Sequence, residues 1–257
     1  MAQRWTVDLN ADAGESYGRW ILGDPERLFG QVTSVNLACG SHAGDPRTIW
    51  DAVRTAKAAG NAIGAHPGFP DLMGFGRRDM ELAPDELQAL VIYQLGALAG
   101  FLRAEALSMR HVKAHGALYL RMARDRVVAD AVASAVATFD ADLPLMVLAG
   151  PGGAIMQAAA AGAGLRALRE AFPDRAYLPD GTLAPRSLPG ALIHDADEVA
   201  ARAVAIVVHQ EVPALGGGVA RVEADTLCVH GDHPSAVANA ESVRRALAAA
   251  GVDVRHA

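Results

Sequence analysis

The chain has 257 residues, 51% of them hydrophobic, and a formal net charge of −6. That is apolar material for one sizeable core at the usual size of a single α/β barrel domain spanning 1–257, and isolated runs such as "GRRD" exclude a basic groove for nucleic acid. Two cysteines, Cys39 and Cys228, make neither a disulfide framework nor a Cys-x-x-Cys zinc pair.

The first apolar run, "WTVDLN" (5–10), meets polar residues too early for a signal peptide. The second, "TSVNLA" (33–38), leads through "CGSHAG" into Asp45-Pro46. Asp there can accept backbone N–H bonds, and Pro at the first helical position forfeits none, so a helix is predicted to open there and close at Gly60. The third run is "NAIGAH" (61–66). Pro84-Asp85-Glu86 then opens a long apolar segment, "LQALVIYQLGALAGFL", whose Gln and Gly suit a buried amphipathic helix better than a membrane span. "RHVKAH" (110–115), "LMVLAG" (145–150), "GLRALREAF" (164–172) and "TLCVHG" (226–231) complete seven candidate strands. Further helix starts lie at Pro151-Gly152-Gly153, Asp195-Ala196-Asp197 and His233-Pro234-Ser235.

Strands alternating with helices imply βαβ units and a parallel sheet. Polar residues at the C-terminal ends of nearly all the strands favour a closed barrel, because an open sheet would gather them at one switch point. The expected fold is therefore a seven-stranded (β/α) barrel, in a soluble cytoplasmic protein with no membrane association. One stretch breaks the rhythm: 172–195 has four prolines, two glycines and no periodicity, as a lid or binding loop would.

Side chains two apart on a strand share a face, so Asp8 pairs with Asn10, Lys113 with His115, and His230 with Asp232. His66, Asn36, His42, Asp12 and Glu15 join them at one rim. Burying so many polar groups is costly unless they pair or coordinate something. Asp8, His42, His66, His115 and His230 are candidate ligands for a divalent cation, although their spacing matches no metal motif. Neither lysine, Lys57 nor Lys113, follows a glycine, so no Walker loop exists, and no G-x-S-x-G elbow appears. Cys39 reads as packing rather than as a nucleophile. The glycines flanking these groups, including Gly216-Gly217-Gly218, read as turns or as close approaches to a ligand.

Taken together, "DLNADAGESYG", "NLACGSHAGDP", "GAHPGFPD", "VKAHGALY", "EAFPDRAYLPDGTLAPRS" and "LCVHGD" resemble, in order, the LamB/YcsF family from about Val7 to about Ala240. One departure is Ala114, where the family usually has proline, with Lys113 and His115 kept on either side. The resemblance implies a barrel similar to the glycoside hydrolase/deacetylase superfamily. It also implies ATP-dependent opening of 5-oxo-L-proline to L-glutamate, with 5-oxoprolinase subunits B and C as partners. On that basis Asp8, His66, Lys113 and His115 are the expected catalytic groups. Asn10, Glu15, Asn36, His42, Asp45, Arg77, Arg175, His230 and Asp232 are expected to hold substrate or phosphate, helped by backbone N–H groups after Gly44 and Gly231. Whether ATP sits on this chain or a partner stays open, as do two rivals: a stand-alone metal-dependent hydrolase on the same barrel, and a non-catalytic chain that presents substrate.

Overall fold

The computed structural model describes residues 5–229 and 236–257. Its sheet strands are β1 (Thr6–Ala13), β2 (Ser34–Ala38), β3 (Ala62–His66), β4 (Leu145–Leu148), β5 (Ala167–Ala171) and β8 (Thr226–Val229). They run parallel in the order β3-β2-β1-β8-β5-β4. The gap between β3 and β4 is filled by the segment around Val112, which bridges Ala65 on one side and Leu145 on the other. Lys113 N donates to Ala65 O at 2.9 Å and Met146 N to Val112 O at 2.8 Å, so backbone hydrogen bonds run through this segment and close the ring. All seven apolar runs are thus members of one parallel barrel. The fourth contributes only a bridge, because its residues go straight from β3's edge into the rim.

Helices α1 (Pro25–Phe29), α2 (Pro46–Ala59), α3 (Pro84–Ala104), α4 (Gly116–Met122), α5 (Arg126–Phe139), α6 (Ala154–Gly162), α7 (Ala196–Val204) and α8 (Ala236–Ala249) intervene along the chain. α2 begins where the sequence predicts: Asp45 accepts from Arg47 N and Thr48 N, and Gly60 ends the helix in the left-handed region at φ 77°. α3 is long and apolar enough to cross a membrane by length and composition. Here it turns Leu87, Val91, Leu95, Leu98 and Leu102 into the core instead, the i, i+4 face expected of a barrel helix. The core is continuous, from Leu9 and Val35 on the strands to Val132 and Leu247 on the outer helices.

Two short strands, β6 (Glu211–Pro213) and β7 (Val219–Arg221), form an antiparallel hairpin outside the barrel. Gly216-Gly217-Gly218 is its exposed turn, with all three residues at positive φ, so these glycines serve turn geometry rather than a ligand. The last strand, β9 (Asp253–Val254), pairs with the start of β1. Between β5 and α7, residues 172–195 carry no regular element. They fold over a small apolar cluster of Ala176, Ala184 and Ala191, and Tyr177 bridges them to Leu183 and Ala214.

Candidate active site

Alternation along the strands fills the barrel interior with polar side chains in tiers. At the floor, Asp8 Oδ1 accepts from Thr33 Oγ1 (2.7 Å) and Ser34 Oγ (2.6 Å), and Oδ2 accepts from Thr226 Oγ1 (2.5 Å). Burial raises the Asp8 pKa, and these hydroxyl donors only partly offset it. In the next tier Asn36 Nδ2 donates to Asn10 Oδ1 and Asp12 Oδ1, both at 2.8 Å, and Asn36 Oδ1 accepts from His111 Nε2 at 2.6 Å. Gly64 makes this tier possible, because any Cβ there would overlap the His111 ring.

Above it lies the charged tier. Lys113 Nζ sits 2.7 Å from Asp12 Oδ1, 2.8 Å from Glu170 Oε1 and 3.0 Å from Cys228 Sγ. Burial alone would lower the lysine pKa, but Asp12 and its neighbours raise it well above the ordinary value, so a fixed ammonium stands at the barrel mouth. His66 Nδ1 lies 2.8 Å from the Lys113 carbonyl, which can only accept, so Nδ1 carries the proton. Its bare Nε2 faces Asp12 Oδ2 at 3.3 Å. Burial opposes protonation of His66, but Asp12 outweighs it and raises the pKa.

The rim tier gathers Glu15, His42 and His115 around His66. Glu15 Oε1 is 3.4 Å from His42 Nε2, 3.3 Å from His115 Nδ1 and 4.0 Å from His66 Nε2. His115 Nε2 faces the Phe75 carbonyl at 2.7 Å, and its ring stacks on His42 at 3.7 Å. Burial of Glu15 raises its pKa, yet the His115 and His42 contacts reverse this and hold it below the carboxylate range. Burial pushes His42 down to about 3, so it is neutral. A Cβ on Gly76 would stand 2.7 Å from both His42 and His115, and Gly76 sits at φ +63°, so only glycine fits against this pair.

The charged tier opens into a cleft of about 300 Å³. Asp12, His66 and Lys113 lie among its lining residues, and Arg77, Arg124, Arg175 and Arg186 are prominent among the others. Ala117, Leu120, Phe172 and Leu183 supply apolar surface. The 172–195 segment therefore contributes Arg175, Leu183 and Arg186 directly to the cleft. Burial lowers the Arg175 pKa to about 10, and its guanidinium donates to the Ala184 carbonyl at 2.8 Å. Such a cavity suits a small anionic molecule, with carboxylate or phosphate met by guanidinium groups.

The model of the LamB/YcsF family matches residues 7–257. The chain belongs to the LamB/YcsF family. This LamB/YcsF chain is 57% identical over 249 residues to a Thermus thermophilus protein named as a subunit of 5-oxoprolinase, covering 97% of this chain and 98% of that one. It superposes with a TM-score of 0.93 on the crystal structure of a lactam utilization protein, also from Thermus thermophilus, at 56% identity, with 97% and 99% of the two chains covered. At 12% identity and a TM-score of 0.50, a family 4 carbohydrate esterase from Streptomyces lividans shares the fold over 98% of this chain and 93% of its own.

Among the residues predicted for this LamB/YcsF site, His66 and Lys113 line the cleft, and Glu15, His42 and His115 cluster beside it. Arg77 and Arg175 reach the cleft from different loops. Asn10 and Asn36 form the tier beneath, where they hold Asp12 and His111 rather than facing the opening. Asp8 lies lower still, its carboxylate taken up by three hydroxyls and apart from the histidine cluster. Asp45 caps α2 and also accepts from Gly18 N at 2.9 Å. Because that carboxylate already occupies Arg47 N and Thr48 N, the helix start after Gly44 has no backbone donors to spare there for phosphate. His230, Gly231, Asp232 and the helix start at 233–235 lie outside the described residues.

Several residues of the site are not singled out by sequence: Glu170, His111, Gln94, Arg124 and Arg186. Glu170 has a readable signal, since Leu168, Glu170 and Phe172 share one strand face. Gln94 has none. It sits inside an apolar helix, yet its amide pins Gly68 through both N–H and C=O at 2.9 Å.

Proposed function

We propose that this chain is the lactam-opening component of an ATP-coupled 5-oxoprolinase, converting 5-oxo-L-proline to L-glutamate together with two further subunits, in the cytoplasm. The observation that carries this reading is the fixed Lys113 ammonium, held between Asp12 and Glu170 at the base of an arginine-lined cleft. The names borne by the relatives support the same substrate class.

A five-membered lactam is resonance-stabilised and recloses readily, so hydrolysis alone is poorly driven. Transfer of the γ-phosphoryl group of ATP to the amide oxygen makes the ring carbon electrophilic. Water then adds to that carbon, the C–N bond breaks as the ring nitrogen takes up a proton, and a second water hydrolyses the resulting γ-acyl phosphate to glutamate and inorganic phosphate. Lys113 stabilises negative charge on the oxygen, work for which one placed donor is worth about 3–4 kcal/mol of barrier. His66 Nε2, bare and backed by Asp12, is positioned to take the proton from water and return it to the departing nitrogen. Arg77 and Arg175 hold the substrate carboxylate or the phosphoryl oxygens.

The test is release of glutamate and phosphate from 5-oxo-L-proline plus ATP, by this chain alone and then with its partner subunits. Coupled release that requires this chain supports the reading. Ring opening of equal rate without ATP would overturn it. That second outcome would favour a stand-alone metal-dependent hydrolase, to which the Glu15 and histidine cluster gives some footing.

A further inference from the structure

Two hydrogen bonds to carbonyls determine which nitrogens of the rim histidines carry protons. His66 gives Nδ1–H to the Lys113 carbonyl and His115 gives Nε2–H to the Phe75 carbonyl. In their neutral forms both remaining nitrogens, His66 Nε2 and His115 Nδ1, are bare lone pairs. They point at each other across 3.1 Å. Glu15 Oε1, buried and without a hydrogen-bond donor among the described residues, closes the group at 3.3 Å from His115 Nδ1 and 4.0 Å from His66 Nε2. Three acceptors facing one another in a buried space repel unless something positive lies between them.

We infer that Glu15, His66 and His115 form a binding site for one divalent cation of the zinc class. Imidazole nitrogen and carboxylate oxygen are the donors such ions prefer. Ligands bound at zinc distances in a tetrahedron stand about 3.3 Å apart, which the 3.1 and 3.3 Å separations here approach. The carbonyls behind His66 and His115 are the outer-shell partners that fix tautomer and ring direction in metal sites. His42 is assigned a different part. Its ring lies parallel to that of His115, at 3° and 3.7 Å, so an ion in the plane of one ring is out of the plane of the other. His115 has the anchored second nitrogen and His42 does not, so His115 is the ligand and His42 the wall.

The site adjoins the cleft through His66, which belongs to both. An ion there would fix that ring and occupy its Nε2 lone pair, so the proton transfer assigned to His66 above belongs to the ion-free chain. Cation binding is measured without substrate or turnover, so its failure is distinguishable from failure of the proposed reaction.

The experiment uses the full chain, stripped with chelator and titrated with Zn²⁺ and Co²⁺ by calorimetry and visible absorption. One ion per chain is expected, with cobalt d–d bands of a low-coordinate N/O site and a raised melting temperature. Glu15→Gln and His115→Ala should abolish stoichiometric binding, and His42→Leu should retain it. X-ray absorption of the zinc-loaded wild-type protein should show two imidazoles and at least one further oxygen, which guards against variants that simply fail to fold. Absence of stoichiometric binding would mean that the cluster is satisfied by extra protons, and would overturn the inference. Loss of the ion in His42→Leu, or binding that survives both ligand variants, would overturn the ligand assignment.

Discussion

His66 and Lys113 are tied through the backbone: the His66 ring donates to the Lys113 carbonyl at 2.8 Å while the lysine ammonium turns inward to Asp12. The bridge at Val112 that closes the barrel between β3 and β4 therefore also orients the histidine and delivers the cation. Ring closure and assembly of the site are one structural event. This explains how one residue of strand pairing is enough at that position, since the side chains on either side of it add ties of their own.

The first consequence concerns Lys113. Replacing it with Met keeps most of its apolar stem but leaves Asp12 and Glu170 as facing acids without their cation, at a cost of roughly 3–5 kcal/mol of stability. Turnover of the reconstituted complex should fall about 10²–10³-fold. Adding Glu170→Gln should recover much of the stability and none of the turnover, as read by denaturant unfolding beside a glutamate-release assay. Full activity in the double variant would remove Lys113 from the chemistry.

Much of this was legible in the sequence, for reasons that mark the limits as well. Period-two alternation in "VDLN" and "VKAH" is a local property, and it puts Asp8 with Asn10 and Lys113 with His115 on shared faces, all four buried in the fold. Depth along the barrel axis is not local. Asp8 and Asp12 look equivalent in sequence, yet register with β2 and β8 puts one among hydroxyls and the other beside the ammonium. Asp45 shows a related limit: a carboxylate at a helix start near the rim can cap or bind, and here it accepts from Arg47 N and Thr48 N as a cap. Glu170 could have been found by the same alternation. Arg186 could not, because the fold of an aperiodic loop decides where its side chains point.

The arginines predict a separation of binding from chemistry. Arg77 is exposed, rests over the Phe75 ring at 4.9 Å and lines the cleft. Arg77→Ala should raise KM for the lactam or for ATP about 10-fold or more, with kcat little changed, as expected for loss of a charged hydrogen bond used equally in ground and transition states. Steady-state kinetics with each substrate varied in turn checks this, and an unchanged KM for both would place the anion elsewhere.

Gly64 should be intolerant of even one methyl group. It has no left-handed conformation to preserve, and the nearest obstacle is the His111 ring, whose atoms a Cβ would overlap. Gly64→Ala is expected to cost about 1–3 kcal/mol through overpacking. The same substitution in a His111→Ala background should cost close to nothing, which a double-mutant cycle on unfolding free energy will register as a strong coupling. Additive costs would mean that the ring is not the obstacle.

His111 also predicts how stability depends on pH. Burial, with the nearby Lys113 ammonium adding to it, holds its pKa at about 3, against an ordinary value of 6.5 in the unfolded chain. Between those values the unfolded chain binds a proton that the folded chain does not, so stability rises with pH and is lost as pH falls below 6.5. From pH 7 to pH 5 this single group should remove about 2 kcal/mol. Protonation there would place a second N–H and a charge in a buried tier, where Nε2 already meets Asn36 Oδ1 at 2.6 Å. Urea unfolding of the wild type and of His111→Gln at both pH values measures the difference. The variant should show a slope shallower by that amount, and an equal slope in the two proteins would assign the acid sensitivity to other groups.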